Sequence, residues 1–412
     1  MNYELELEYY PKLPSKQLNE GLEIIKVNKD KWDKPFFTDT KSYINIREIR
    51  EITKDYIKEH IKNVIVLGTG GSIQTLMAIK HLAAKNIIPI VSSRAIELKR
   101  CIEATNPKDS IVIPISRGGE TLDVNSTIGL FLKRGYPLLG LSSKGTMYNI
   151  LKEANIPIMD VPDLSGRFAG SVSNLGIVPA FIAGIDVQSF LQGLEFGYNS
   201  YLKTEEGLAY HFAIFLYSLY KLGYKVVFSM PYSLNLEGCT GLFVQELSES
   251  TGKESRGLMG VYQSAPLSQH SILEYLLGGP KNVVIPIIWD VNNEVRDIIL
   301  PSSIDFIDGI SAQTIVNYQA DATFQALIEE KVPSAKISLE NVNIRAIGNL
   351  IAFIQSTVYL LCLLLNVNWT NNPKVVIGKE ICNKALKNRN SAELGKNKRI
   401  EIAEKVFKNF YS

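Results

Sequence analysis

Histidine and cysteine are scarce in this chain of 412 residues, with four of each. The cysteines, Cys101, Cys239, Cys362 and Cys382, lie far apart and form no Cys-x-x-Cys pair. That spacing argues against a zinc ribbon or a disulfide framework, and fits reduced, mostly buried thiols in a cytoplasmic protein. Excess charge is also missing. A formal net charge of +2 is too small to argue for a nucleic-acid partner. The first residues, Met-Asn-Tyr-Glu-Leu-Glu-Leu-Glu, are acidic and lack the apolar core of a secretion signal. The longest apolar run, Val358 to Val367, is too short and too broken to span a bilayer. No low-complexity segment or short-period repeat is present. What is there is ordinary globular material, 46% hydrophobic and 21% charged. The length suggests roughly two to three domains.

Residues 1–43 read as an extension of strand-like pieces and Pro-containing turns wrapped on the core. Ile44 to His60 reads as a charged amphipathic helix. A repeated grammar follows. Asn63-Val-Ile-Val-Leu runs into glycines, and a helix is expected from about Ser72 to Ala84. Ile88-Pro-Ile-Val-Ser, Ser110-Ile-Val-Ile-Pro-Ile-Ser and Pro137-Leu-Leu-Gly-Leu-Ser-Ser are further strands, with helices between them. Apolar strands alternating with helices predict a parallel sheet covered on both faces. The pattern recurs with strands at Lys225-Val-Val-Phe-Ser-Met, Asn282-Val-Val-Ile-Pro-Ile-Ile and Asp305-Phe-Ile. Helices are expected near 203–222, 236–250, 312–331 and 344–366. The predicted fold is α/β, two doubly wound, three-layer lobes at 44–200 and 201–366, with a helical junction near 168–205. A C-terminal segment, 367–412, turns basic after Asn383 and ends in an amphipathic helix, Lys398 to Phe410.

Several segments carry residues suited to chemistry. Gly68-Thr-Gly-Gly-Ser72 joins a strand to a helix. Its glycines allow close backbone approach, and the helix start supplies free N–H groups for a phosphate or a sugar hydroxyl. A tight turn without ligand has the same look. The dinucleotide fingerprint is excluded, because Ile73 stands at its third spacing. Ser116-Arg-Gly-Gly-Glu-Thr-Leu-Asp123 is a fuller anion nest, with hydroxyls on Ser116 and Thr121, a cation on Arg117 and free N–H groups about Gly118. A turn capped by Thr121 is the plainer alternative. Glu120 must point away from any phosphate held there. Arg167 sits among small residues in Ser165-Gly-Arg-Phe-Ala-Gly-Ser, and a loop-tying arginine looks alike.

The densest segment runs from Gln245 to His270. Gln245 and Glu249 are four apart, hence on one helix face, and Gly252 should close that helix. His270 is expected at the start of another helix. A carboxylate and an imidazole suit proton transfer beside a sugar carbonyl. The plain alternatives are an exposed Glu249–Lys253 pair and a capping histidine. Lys379, in Asn371-Asn-Pro-Lys-Val-Val-Ile-Gly-Lys379, would alone be taken for a surface lysine.

Taken in order, these segments resemble the glucose-6-phosphate isomerase (phosphoglucose isomerase) family, whose members hold two sugar-isomerase (SIS) domains. The family's Gly-Ile-Gly-Gly-Ser matches Gly68 to Ser72. Its Ser-Lys-(Ser/Thr)-x-x-Thr-x-Glu matches Ser116 to Asp123, and its Gly-Gly-Arg-(Phe/Tyr)-Ser matches Ser165 to Ala169. Its Gln-x-x-x-Glu-Ser-x-Gly-Lys matches Gln245 to Lys253. Its Gln-His-Ser matches Gln269 to Ser271, and its Gln-Pro-x-Val-Glu-x-Gly-Lys matches Asn372 to Lys379. The resemblance implies that Glu249 moves a proton between C1 and C2 and that Arg167 stabilises the enediolate. It implies that His270 and Lys379 open the sugar ring and that Gln245 orients substrate. Ser116, Arg117, Gly118 and Thr121 would hold the phosphate, with Gly71 and Ser72 lining the sugar. No metal or cofactor is implied. The implied partner is a second copy, which would supply its His270 across a dimer interface.

The chain departs from the family pattern at several places. Arg117 replaces a lysine, Gly118 a hydroxyl residue and Asp123 a glutamate. Glu120 stands where a small hydroxyl residue is common, and Asn372 and Val376 replace Gln and Glu. Lys396, in Glu393-Leu-Gly-Lys396, competes with Lys379, which fits better through Pro373 and Val375. Two rival functions remain, a dual phosphoglucose/phosphomannose isomerase and a sugar-phosphate sensor without catalysis. The sensor has no need of Glu249, His270 and Lys379 together.

Overall fold

The computed structural model describes residues 5–387, apart from 206 and 295. Two compact units meet between Thr370 and Asn371. In the first, β1 (Leu5–Tyr10) opens the chain and returns later as an edge strand. A first lobe follows, with β2 (Asn63–Leu67), β3 (Asn86–Ile90), β4 (Ser110–Pro114), β5 (Gly140–Leu141) and β6 (Ile158–Met159). Parallel ladders join β3 to β2 and β2 to β4, and bridges at Val112–Leu138 and Ile115–Leu141 carry β4 on to β5 and then β6. Val64 to Leu67 are fully buried, as strands covered by helices on both faces must be.

The second lobe holds β7 (Val226–Pro231), β8 (Met259–Tyr262), β9 (Val284–Asn293), a small hairpin of β10 (Ile299–Leu300) and β11 (Ile310–Ser311), and β12 (Ser334–Asn341). Its sheet runs β1-β12-β9-β7-β8, parallel except for β1. Within each lobe, the first strand lies between the second and the third. Each sheet therefore has a crevice at the carboxyl ends of its first and third strands, where the chain direction of winding reverses. Two doubly wound parallel sheets are present, as expected from the apolar strand pattern.

Helix Ile344–Leu365 runs through the centre of this unit. It is long and apolar enough to cross a membrane by length and composition, yet protein buries every residue from Ala346 to Leu365. Helix Gly71–Ile79 packs on helix Leu234–Thr251. A Cβ on Gly238 would lie 2.1 Å from the Met77 carbonyl oxygen, so that contact requires glycine. This packing brings the first glycine loop to the helix that carries Glu249.

Several expectations need correction. Asp305-Phe-Ile is a turn, and Phe306 is exposed; the strand of that region is β12. Lys336 in β12 hides it from an apolar search, and its charge is met by Asp290 at 3.6 Å and by Asp321. The expected helix at Ile44–His60 is confined to Ile46–Thr53. Residues 54–60 have almost no apolar face to bury. The N-terminal extension contributes β1 to the second sheet and a helix, Ser15–Asn28, whose Asn28 side chain donates to the Leu363 carbonyl. The helix predicted to reach Ala84 ends at Ile79 in a short 3-10 turn. The expected helix Lys398 to Phe410 lies outside the described residues.

Candidate active site

Glu249 stands near the end of helix Leu234–Thr251, which Gly252 closes as the sequence predicts, its N–H donating to the Ser248 carbonyl. Gln245, one turn earlier, donates from Nε2 to Glu249 Oε2 at 2.9 Å. On the other side Arg167 Nη1 lies 3.3 Å from Glu249 Oε1. Arg167 is 2% exposed while Glu249 keeps 26% exposure, so the cation is fixed and the carboxylate is accessible. Gln245, Glu249 and Arg167 are thus brought together from sequence positions far apart.

The arginine is held from behind. Its Nη2 donates to the Trp369 carbonyl at 2.7 Å. The Trp369 ring is packed by Phe36, Phe37, Phe168 and Tyr359, and its Nε1 donates to the Asp33 carbonyl. The N-terminal extension therefore braces the segment that receives the guanidinium.

Gly71 touches the arginine's backbone. A Cβ there would lie 2.6 Å from both N and Cα of Arg167. Ser72 lies on the same turn, its Oγ near Gly166. A cleft of about 710 Å³ opens beside the pair, lined by Thr69, Gly70, Gln74, Gln245, Ser248 and Glu249 among others. That volume suits a ligand the size of a sugar phosphate.

The second loop sits in the first lobe's crevice. Ser116 and Thr121 share a hydrogen bond between hydroxyls at 2.8 Å, and Thr121 makes no side-chain cap to its helix, Leu122–Lys133. The simple capping reading of Thr121 is therefore not realised. Ser142 Oγ and Asn125 Nδ2 donate to the carbonyls of Ser116 and Gly119 and brace the turn. Gly118 has open space around it. Glu120 turns away, accepting from the N–H of Thr146 at 2.7 Å and from its hydroxyl. It serves the start of helix Gly145–Glu153. Arg117 donates to the Leu164 carbonyl and lies 3.8 Å from Asp163, four residues before Arg167. It ties the two loops together.

Lys253 forms no surface pair with Glu249. It is almost buried and donates to the Asn368 carbonyl. Burial is the main cause pushing its pKa down to about 8. Cations at Lys253 and Arg167 thus hold adjacent carbonyls, at Asn368 and Trp369.

Two expected participants, His270 and Lys379, are not among the residues that line the cleft. His270 is exposed, and it closes the short helix Ala265–Gln269 instead of opening the next, which begins at Leu273. Its neighbour Gln269 donates to Thr323 Oγ1 at 2.8 Å, and Tyr232 donates to the same oxygen. That chain fixes the turn bearing the imidazole. Lys379 lies in the second unit, on helix Val376–Lys387, which has no buried residue. Lys396 lies outside the described residues.

Sequence reasoning missed Glu246. It is fully buried and accepts from Gln355 Nε2 at 2.8 Å. The signal was present: Phe243, Glu246, Leu247 and Ser250 share a helix face, so a glutamate interrupts an apolar stripe.

No family model matches the chain. Among curated proteins, the chain is 24% identical over 361 residues to the glucose-6-phosphate isomerase of Mycoplasma capricolum. That alignment covers 81% of this chain and 84% of that protein. It is 27% identical over 347 residues to the glucose-6-phosphate isomerase of Methanocaldococcus jannaschii, covering 79% and 84%. Its fold is similar to that of a glucose-6-phosphate isomerase from Chlamydia trachomatis, with a TM-score of 0.74 and 17% identity. That match covers 98% of this chain and 92% of the other. Relatives of one name thus align with most of the sequence, and the chain is similar to glucose-6-phosphate isomerases over about four fifths of its length.

Proposed function

We propose that this protein interconverts glucose 6-phosphate and fructose 6-phosphate by proton transfer through a cis-enediol. The observation that carries the reading is the accessible Glu249 carboxylate 3.3 Å from the buried, fixed Arg167. An aldose–ketose exchange needs one base that takes a proton from C2 and returns it to C1. It also needs a cation where the enediolate charge develops. Glu249 fills the first role. Arg167 is already oriented by the Trp369 carbonyl, so little reorganisation is needed as charge builds on the sugar oxygens. Gln245 orients substrate beside the base, and Gly71 and Ser72 line the sugar.

In this reading the phosphate lies in the first lobe's crevice, held by the hydroxyls of Ser116 and Thr121 and N–H groups near Gly118. The outward turn of Glu120 supports it. Arg117 contributes positive charge and joins the loops. Ring opening falls to Lys379 and His270. Because His270 is exposed and absent from the lining of the cleft, the reading takes it from a second copy in a homodimer. The enzyme would work in the cytoplasm.

The test is a coupled assay from fructose 6-phosphate to glucose 6-phosphate, with chelator, on wild type and Glu249→Gln. Wild-type turnover should survive the chelator, and the variant should lose about 10² to 10⁴-fold. An inactive wild type, or a fully active variant, would sink the assignment.

A further inference from the structure

Two carboxyl groups on one helix interact with the same guanidinium, Glu249 by direct contact and Glu246 through its field. Glu249 and Glu246 are three apart, so both project toward Arg167's side of helix Leu234–Thr251. Glu249 is partly exposed and ion-paired. Glu246 is fully enclosed. One of its oxygens accepts from Gln355 Nε2, and the other, Oε2, is buried with no hydrogen-bond partner among the described residues. Gln355 is in turn committed, because its own oxygen accepts from Tyr198 Oη at 2.5 Å and Ser171 Oγ at 3.1 Å. An ionised carboxylate would need donors on both oxygens to be stable here. The described residues supply one.

We propose that Glu246 is a positioning residue, a buried carboxylic acid that keeps its proton behind Arg167 and so leaves the guanidinium charge to Glu249 and the enediolate. This rests on the roles of Glu249 and Arg167 proposed above. The charged and titratable groups that face Glu246 come from three helices. Arg167 belongs to helix Gly166–Val172, Tyr198 to helix Val187–Leu202, and Glu249 to its own helix. Burial raises the Glu246 pKa well above the carboxylate range, and Glu249 adds to the rise. Gln355 and Arg167 oppose it without reversing it. Were Glu246 ionised, Arg167 would be shared between two carboxylates, and the charge it offers to the transition state would be divided. Two acids in unlike settings thus divide their roles, Glu249 as the accessible base and Glu246 as the neutral support.

The inference separates from a merely structural role in two measurements. The first is difference infrared spectroscopy of wild type against Glu246→Gln. A protonated carboxyl band should be present in wild type at pH 7 and missing in the variant. The second is the pH profile of kcat. Glutamine mimics the neutral acid, so Glu246→Gln should keep kcat and KM within about tenfold at pH 7. It should also retain activity further into alkali than wild type, whose Glu246 eventually ionises. Should the variant fail to fold, wild type with carboxyl-labelled glutamate answers the same question by NMR. One glutamate carboxyl must then remain protonated through pH 7. Absence of that band or resonance, coincident alkaline limbs, or a loss beyond about 10²-fold at pH 7 would overturn the proposal. The two readings also fail separately. An active wild type without the protonated carboxyl defeats only this inference. An inactive wild type with it defeats the assignment of Glu249.

Discussion

Gly71→Ala should disable the enzyme without touching a side chain of the site. An ideal Cβ at Gly71 lies 2.6 Å from Arg167 N, 2.6 Å from Arg167 Cα and 2.8 Å from Gly166 C. Carbon atoms pack comfortably at about 3.5–4.0 Å, so the two segments must separate by about 1 Å. All three obstacles are backbone atoms, and no rotamer change relieves the clash. Such overpacking costs about 1–3 kcal/mol of stability. Arg167 moves with its backbone, while Glu249 stays on a helix locked to Met77 through Gly238. A misplacement near 1 Å lowers catalysis by about 10²-fold. Steady-state kcat in the coupled assay and urea unfolding together measure both effects. Gly129→Ala is the control. Gly129 is exposed on helix Leu122–Lys133 with nothing within 4 Å of its Cβ position. Its substitution should leave kcat unchanged and raise stability by about 0.5–1 kcal/mol. If Gly71→Ala turned over like wild type, the close approach would not set the arginine's position and the reasoning would be wrong.

Two more predictions concern the second lobe. Burial raises the Asp290 pKa from 3.8 to about 6. The folded state therefore binds more protons between these values, and wild type loses stability as pH rises through them. Against the non-titrating Asp290→Asn, wild type should lose about 2 kcal/mol between pH 4 and pH 7, measured by urea unfolding at both; a pH-independent difference would contradict the shift. Gln269→Ala removes the bond to Thr323 that holds the His270 turn. It should cost about 1 kcal/mol of stability and slow ring-closed substrate more than deuterium exchange at C1 and C2. Equal slowing of both would show that His270 has no part in ring opening.

The parallel sheets were legible because Val64 to Leu67 and Ile111 to Ile113 are uninterrupted apolar runs between glycines and turns. β12 was not, because Ser-Ala-Lys-Ile-Ser-Leu-Glu-Asn carries a lysine whose compensating acids come from β9 and helix Ala312–Glu329. Such pairing is visible only in three dimensions. In the candidate site, Gln245 and Glu249 follow from helical spacing and the closing Gly252. The third member does not, for Arg167 lies 82 residues upstream and reaches Glu249 only through the packing of helix Gly71–Ile79 on two neighbours. Glu246 was legible in principle, as a charge on an apolar stripe. Its partner Gln355 is likewise a lone amide within the apolar helix Ile344–Leu365. The role of Trp369 needed the fold, because its backbone carbonyl does the holding and its ring is packed by residues from three separate segments.

The two lobes repeat one topology but use it differently, and the reason lies in what fills each crevice. Between β2 and β4 the loop hydroxyls of Ser116 and Thr121 contact one another, and the nearby acid Glu120 is drawn away to Thr146. Between β7 and β9 the crevice is taken by the protein's own carboxylate. Glu294, just after β9, accepts from Ser233 Oγ and from Asn235 Nδ2 at 2.9 Å, at the start of helix Leu234–Thr251. An anion at that helix start is electrostatically favoured, so the site is satisfied internally and would repel a phosphate. With its amino end occupied, this helix presents Gln245 and Glu249 to the cleft nearer its carboxyl end. The packing through Gly238 and Met77 lays that end beside the first lobe's glycine loop. In the proposed reading, one lobe therefore grips the phosphate and the other delivers the base, a division that follows from Glu294 closing one of two equivalent crevices.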